Sequence, residues 1–397
     1  MNKKIAVIGL GYVGLPLALS ASNSGYKVVG IDNNINKVNV LKAGGTSTED
    51  IENFAVLNSI NKGNLLISDD FSEISGSGVI LICVPTPLNN YFKPDLSHIE
   101  LAANSLSPYI QPGTLIILES TVEPGTTRNF LRPLLEQGSG LTSDQFFVAF
   151  SPERIDPSNH LWHIKNTPKL VAGLTDVACT LAMQFYGNFI DELVQCQSLE
   201  IAETAKLLEN SFRLVNISFI NELSIFCQKL GIDVNEVIKA AATKPYGFMP
   251  FYPSVGVGGH CIPVDPLYLS NKAREIGAPT RFINLADQIN REMPGYFVGR
   301  AEEKLGGLKN KKVLVVGVSY KPNVVDVRET PVSALINGLR EKGAQVSWHD
   351  DLVKDWNDEK SVDLKPGFDL AIITSSHTYL DLKKLRDTLV LDTRGSI

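Results

Sequence analysis

Gly9, Gly11 and Gly14 follow directly on the apolar run of residues 5–8 and open a segment of helical character, and the next apolar run ends in Asp32. A buried strand, a glycine turn, a helix and a second strand in that order make the start of a βαβ unit. Glycine there allows a tight turn and lets backbone N–H groups approach a pyrophosphate at the helix N-terminus. An acid 21 residues past Gly11 stands where adenosine ribose hydroxyls are read. Asn33 and Asn34 follow it with no adjacent arginine to meet a 2′-phosphate, so NAD is expected in preference to NADP. The competing reading is a plain glycine turn whose aspartate caps a surface helix.

A second stretch repeats the first. Lys312, the apolar run 313–316 and Gly317 lead through a helical segment to Gly343, with Asp350 seven positions on, as Asp32 lies seven past Gly25. Two Rossmann-like domains at opposite ends of the chain follow. Further apolar runs at 78–84, 114–118 and 146–150 suit central parallel strands, each followed by proline-bearing turns. In open α/β sheets the ligand sits outside the carboxyl ends of such strands. From 198 to about 230 there is neither glycine nor proline, and Ser198 and Gly231 are fit to cap and end a helix. At 1.5 Å per residue it runs roughly 50 Å, long enough to join domains or pack on a symmetry mate, which favours a homodimer. The expected fold is α/β: two Rossmann-like doubly wound domains joined by a long central helix and a helical dimerisation region. The boundaries are 1–197 for the cofactor domain, 198–304 for the central helical domain and 305–397 for the C-terminal domain.

Composition removes several classes. With 44% apolar residues and a net charge of −6, the chain is neither disordered nor an electrostatic nucleic-acid binder. An anionic ligand must then be held by local groups rather than the global field. Five cysteines (83, 179, 196, 227 and 261), none in a C-x-x-C pair, suit a reduced compartment, and no metal site is expected; His160 and His163 lack a ligand set. The N-terminus superficially resembles a secretory leader, but its glycine spacing reads as strand and helix. No run of about 18 apolar residues suggests a membrane span. A cytoplasmic protein is expected.

Two features carry chemistry beyond the cofactor turn. The segment 256–265 holds three glycines in four positions before His260 and Cys261, and then Asp265. A thiolate there can add to an aldehyde, and the thiohemiacetal can lose hydride to become a thioester. Equally, a small buried cysteine in a turn, with Asp265 capping a helix, accounts for the pattern. On the long helix, with Lys206 at zero and 100° per residue, Asn210 falls at +40° and Arg213 at −20°. This polar stripe is either a solvated face or part of a site. Tyr268 and Lys272 match the Tyr-x-x-x-Lys pair of short-chain dehydrogenases, but outside the cofactor domain where that pair belongs.

Taken together, several motifs resemble the UDP-sugar 6-dehydrogenase family. They are the 9–16 glycine turn, Val84-Pro85-Thr86-Pro87, Ser120-Thr121 with the following Glu-Pro-Gly-Thr-Thr, Ser151-Pro152-Glu153-Arg154, Lys206 with Asn210, the Cys261 loop, and Tyr320-Lys321 through Arg328-Glu329. His260 before the cysteine and the Ser-Pro-Glu-Arg segment are similar to the branch acting on N-acetylated UDP-hexosamines. Residues 243–252 are most similar to UDP-N-acetylglucosamine 6-dehydrogenases. The resemblance implies a two-step oxidation of the sugar C6 alcohol to the acid, for surface polysaccharide synthesis. Cys261 is then the nucleophile and Lys206 and Asn210 stabilise oxyanion character. Asp265 and Thr121 position lysine or water, and Glu153 is a base. It further implies cofactor contacts from Gly9, Gly11, Tyr12, Val13, Gly14, Asp32, Lys37, Thr86, Thr121 and Arg328. Substrate contacts fall to Glu153, Arg154, Lys206, Asn210, Arg213, Tyr252, Gly256, Gly258, His260, Lys321 and Arg394. Two positions depart from the pattern: Ser158 stands where glycine is usual, and Ser254-Val255 where Gly-Pro is usual. The epimer is open among gluco, galacto and manno forms. A single-step β-hydroxyacid dehydrogenase, which has no use for Cys261, and a non-catalytic nucleotide sensor are the alternatives.

Overall fold

The computed structural model describes residues 3–46, 51–156, 159, 161–378 and 380–394, and the chain forms two compact units, Met1–Leu208 and Glu209–Ile397. Ser158 and His160 lie outside the described residues.

The first unit carries strands β1 (Lys4–Ile8), β2 (Lys27–Ile31), β3 (Leu65–Ser68), β4 (Val79–Ile82), β5 (Leu115–Leu118), β6 (Phe147–Phe150), β7 (Lys169–Gly173) and β8 (Leu193–Gln195). They form one sheet in the order β3-β2-β1-β4-β5-β6-β7-β8. The first six are parallel, and β7 alone pairs antiparallel with its neighbour β6. Short runs such as Val79–Ile82 and Leu115–Leu118 are buried at every residue because helices cover both faces. Alternate side chains enter opposite cores. Ile5 and Val7 pack with Leu15 and Ala18 of the helix Gly14–Asn23, while Ala6 and Ile8 pack with Ile99 and Leu106 of the helix Ser97–Leu106. Each such valine, leucine or isoleucine side chain contributes about 1.5–3 kcal/mol on full burial. The strand order reverses between β1 and β4, so the crevice at their carboxyl ends opens at Gly9 and Cys83.

The expected long helix is Leu199–Leu230, begun by Ser198, whose Oγ accepts from Ile201 N (3.3 Å), and ended at Gly231 with φ of +77°. In the second unit the helices Val234–Ala242, Asp265–Glu275 and Arg281–Leu305 precede β9 (Lys312–Val316), β10 (Gln345–His349), β11 (Asp355–Trp356), β12 (Glu359–Lys360), β13 (Leu370–Ile373) and β14 (Leu389–Asp392). Four of these form a parallel sheet, β10-β9-β13-β14. The remaining pair, β11 and β12, is a hairpin turned by Asn357 and Asp358, both at positive φ as a tight two-residue hairpin turn requires. The α/β class and the two Rossmann-like sheets expected from the sequence are both present.

Candidate active site

In the first unit, the glycines of the cofactor turn do different work. Gly9 turns the chain with φ of +90°, and a Cβ on it meets Cys83 O at 2.7 Å. A Cβ on Gly14 meets Gly9 O at 1.8 Å, so close packing of helix on strand demands glycine there. At Gly11 a Cβ meets nothing within 4 Å, and Gly11, Tyr12 and Val13 are all partly exposed. That bare backbone, at the N-terminus of the helix Gly14–Asn23, suits the diphosphate of a dinucleotide. Asp32, at the end of β2, is buried; its carboxylate accepts from Leu10 N (2.9 Å), Asn34 N (3.0 Å) and Lys37 Nζ (2.8 Å). The residues present fit NAD. Gly11→Ala is expected to hold its melting temperature within a few degrees yet weaken NAD at least about tenfold. Gly14→Ala, by contrast, is expected to lose about 1–3 kcal/mol of stability. Thermal melting with and without NAD checks both.

At the carboxyl edge of the same sheet the loops are stitched together. Thr86 Oγ1 donates to Thr121 O (2.8 Å), and Ser120 Oγ donates to Val84 O (2.6 Å). The buried Glu203 of the long helix accepts from Gly125 N (2.6 Å) and Thr127 N (3.0 Å), tying down the segment that follows Thr121. Burial pushes its carboxyl up, against the pull of those bonds. After β6, Glu153 accepts from Lys206 Nζ (2.9 Å) and Ile155 N (2.7 Å), with the paired side chains 12% and 7% exposed. Burial raises the Glu153 carboxyl, but the Lys206 ammonium and the Ile155 N–H outweigh it and hold it below the ordinary carboxylate range. Arg154 donates from Nη1 to Pro168 O (2.9 Å).

Beneath Glu153 lies a buried network that the sequence did not announce. Lys169 Nζ reaches Glu119 (2.7 Å) and lies 5.0 Å from the centre of the Tyr186 ring, and Tyr186 donates its hydroxyl hydrogen to the other Glu119 oxygen. Lys169 also points at the carbonyls of Ser151 (3.4 Å) and Pro152 (3.3 Å), the two residues before Glu153. Its one sequence sign is a lysine opening the otherwise apolar strand Lys169–Gly173.

In the second unit, Asp265 N donates to Cys261 O (2.8 Å), which places the half-buried Cys261 in the turn entering the helix Asp265–Glu275. Asp265 is itself buried and accepts from Asn210 Nδ2 (2.6 Å). Two buried amides hold the preceding glycine segment: Asn221 Oδ1 accepts from Ser254 N (2.8 Å) and Asn290 Oδ1 from Val257 N (2.6 Å). A cleft of about 120 Å³ opens beside this segment, lined by Arg213, Tyr252, Gly256, Gly258, Lys321 and Arg394 among others. Among the described residues its wall carries three cations and no carboxylate. In a chain of net charge −6 this is a local concentration of positive charge, which an anionic ligand would need. His260 lies partly buried beside Cys261. Arg328 forms an ion pair with Asp326 (2.6 Å). Tyr268 is wholly buried, and Lys272 pairs with Glu275 (2.9 Å).

Among the described residues no cluster of His, Cys, Asp or Glu is arranged to hold a metal ion, and no helix is long and apolar enough to cross a membrane.

Three family profiles match the chain. They describe the NAD binding domain (residues 3–190), the central domain (200–292) and the UDP binding domain (314–397) of the UDP-glucose/GDP-mannose dehydrogenase family. Protein CapL of Staphylococcus aureus is 38% identical over 88% of this chain and 82% of its own length. The UDP-N-acetyl-D-glucosamine 6-dehydrogenase of Pseudomonas aeruginosa is 36% identical over 87% and 82%. The solved structure of the UDP-D-ManNAc dehydrogenase of Pyrococcus horikoshii superposes with a TM-score of 0.90 at 31% identity, covering 99% of this chain and 96% of that one.

Proposed function

This chain belongs to the UDP-glucose/GDP-mannose dehydrogenase family of NAD-dependent nucleotide-sugar dehydrogenases, and on that premise we propose that it oxidises C6 of a UDP-N-acetylhexosamine, first of all UDP-N-acetylglucosamine, to the uronic acid. The observation that carries this reading is the second unit's cationic cleft, free of carboxylates on its described wall, in the unit that also bears Cys261. Arg213, Lys321 and Arg394 take the diphosphate and uridine end. Tyr252, Gly256, Gly258 and His260 line the sugar's place, and by the same family resemblance Arg154 and Glu153 are substrate residues. Similarity of residues 243–252 and of His260 to the N-acetylhexosamine branch supports the sugar class. The same reaction on UDP-N-acetylmannosamine or UDP-N-acetylgalactosamine is the second reading, favoured by the ManNAc enzyme whose fold this chain shares.

NAD, when bound by Gly9, Gly11, Tyr12, Val13, Gly14, Asp32, Lys37, Thr86, Thr121 and Arg328, supplies the hydride acceptor, twice per sugar. The C6 alcohol gives up a proton and a hydride to become an aldehyde. Cys261 adds its sulfur to that carbonyl, forming the C–S bond of a thiohemiacetal. A second hydride leaves C6 to give the thioester, and water then breaks the C–S bond, releasing the carboxylate and restoring the thiol. Lys206 and Asn210 put positive charge and an N–H donor where oxygen at C6 becomes negative. Asp265 orients Asn210, Thr121 positions lysine or water, and Glu153, ionised in its pair, takes a proton from the hydrolytic water. Residues 1–197 serve the cofactor, 198–304 the thiol and assembly, and 305–397 the nucleotide. A cytoplasmic homodimer making precursors for surface polysaccharide fits these parts. For the dimer, Phe212, Phe219, Phe226 and Leu230 stand exposed along one line of the long helix, at the spacing of a helix–helix seam.

With limiting UDP-N-acetylglucosamine and excess NAD, two NADH are expected per sugar consumed. One NADH per sugar overturns the thioester route and points to the single-step dehydrogenase. Ligand binding without any NADH, across the gluco, galacto and manno forms, points to a sensor.

A further inference from the structure

The two Rossmann-like sheets share a device and then diverge. In each, the strand paired beside the one that leads into the glycine turn (β2 beside β1, β10 beside β9) is followed by an aspartate that accepts from the backbone N–H just past the turn glycine. The bonds are Leu10 N to Asp32 in the first (2.9 Å) and Val318 N to Asp350 in the second (2.9 Å). Asp32 then meets the partly exposed Lys37. Asp350 is 1% exposed and instead faces inward, accepting also from Leu352 N (2.9 Å), Val353 N (3.0 Å) and the Nε2 of His377 (2.9 Å). With its carboxylate so filled, it has no oxygen left to read a ribose.

His377 is 2% exposed, and its other ring nitrogen, Nδ1, accepts from the backbone N–H of Asn323 (2.8 Å). A nitrogen that accepts carries no hydrogen, so the ring hydrogen sits on Nε2, toward Asp350. Asn323 holds φ of +64°, and its side-chain oxygen accepts from Thr378 N (3.1 Å). Ser319 Oγ donates to Lys321 O (3.1 Å) on the other side of the turn. The turn that carries Lys321 into the cleft wall is therefore fastened to residues 377 and 378 through Asn323.

We propose that His377 is a positioning residue for nucleotide-sugar binding: it holds the 321–323 turn through the Asn323 N–H, with Asp350 fixing its tautomer, so that Lys321 is presented to the ligand's phosphates. This rests on the reading above that Lys321 contacts the nucleotide. The second sheet has thus turned its strand-end aspartate from reading a ribose to bracing the loop that receives a different nucleotide.

Two substitutions separate bracing from mere support in the full-length protein. In His377→Asn the amide oxygen falls near the place of Nδ1, keeping the acceptor for Asn323 but leaving Asp350 without its donor. In His377→Gln the amide nitrogen reaches toward Asp350 but nothing accepts from Asn323. Titration with UDP is expected to weaken at least about tenfold in His377→Gln with little change in melting temperature. His377→Asn is expected to bind within about threefold of wild type yet melt lower. The NAD KM stays put in both. Affinity falling in step with melting temperature across the two variants overturns the proposal. Lys321→Met serves as the control: if it binds UDP as wild type does, the underlying reading fails, whereas a weak Lys321→Met beside a tight His377→Gln sinks this inference alone. Should neither variant fold, hydrogen exchange at the Asn323 amide decides: it is expected to slow on adding UDP, and an unaffected rate overturns the proposal.

Discussion

Cys261→Ala is expected to cut steady-state NADH production by at least about a thousandfold while leaving UDP and NAD binding intact. The thiol sits in a turn whose backbone is held from behind by Asp265 and whose glycine approach is braced by Asn221 and Asn290, so removing one sulfur disturbs little of that frame. What goes is the only means, in this scheme, of converting an aldehyde into a species that can surrender a second hydride. Any residual reaction is expected to stop at one NADH per sugar. Calorimetry of UDP binding checks that the cleft survives, and rapid mixing with UDP-N-acetylglucosamine reads the yield per active site. A variant that turns over at the wild-type rate with two NADH per sugar removes Cys261 from the mechanism.

The second large effect is expected from Lys206→Met, a fall in kcat of about a hundred- to ten-thousandfold, accompanied by a displaced pH profile. In the native pair, burial drives the Glu153 carboxyl up while Lys206 draws it down, and Lys206 prevails with help from Ile155 N. A carboxyl depressed in the folded state adds stability above its unfolded value, and that contribution is lost as pH falls through the folded value. Without Lys206, burial prevails, the carboxyl rises, and the acid limb of kcat/KM moves toward neutrality. The variant should also lose less stability on acidification than wild type, having less of this contribution to forfeit. A pH–rate profile together with melting temperatures across the acid range measures both. An unmoved acid limb, with kcat near wild type, would falsify the coupling of this lysine to Glu153.

How far the chain could be read beforehand follows from the range over which its interactions act. The strands β1, β4, β5 and β9 are short apolar runs closed by glycine or proline signals, and the long helix has its own cap and stop within its neighbouring residues; such features are local and legible. The glycine turn and Asp32 were legible for the same reason. The Glu119–Lys169–Tyr186 network joins residues 50 and 67 positions apart, and His377 meets Asp350 across 27. No periodicity records a pairing that only the sheet brings about. Glu203 was hidden differently: on the helix it reads as one acid among several, and only the fold shows its carboxylate capping the segment after Thr121. The hairpin at Asn357 and Asp358 is not legible in the sequence because its strands are two residues long and carry no alternation.

The reversal of β7 has a consequence for how such an enzyme changes over generations. Because β7 runs antiparallel to β6, the chain leaving Phe150 re-enters the sheet at Lys169 on the same edge, without crossing the sheet to its far side. The eighteen residues between the two strands thereby begin and end at the same edge of the sheet. Lengthening such a span costs little, about 0.6 kcal/mol for each doubling, and leaves strand register untouched. Insertions and deletions between Glu153 and Lys169 can thus accumulate at the carboxyl border of β6 without disturbing the strands. The reversed strand gives the scaffold a place to change loop length while its folding core stays the same.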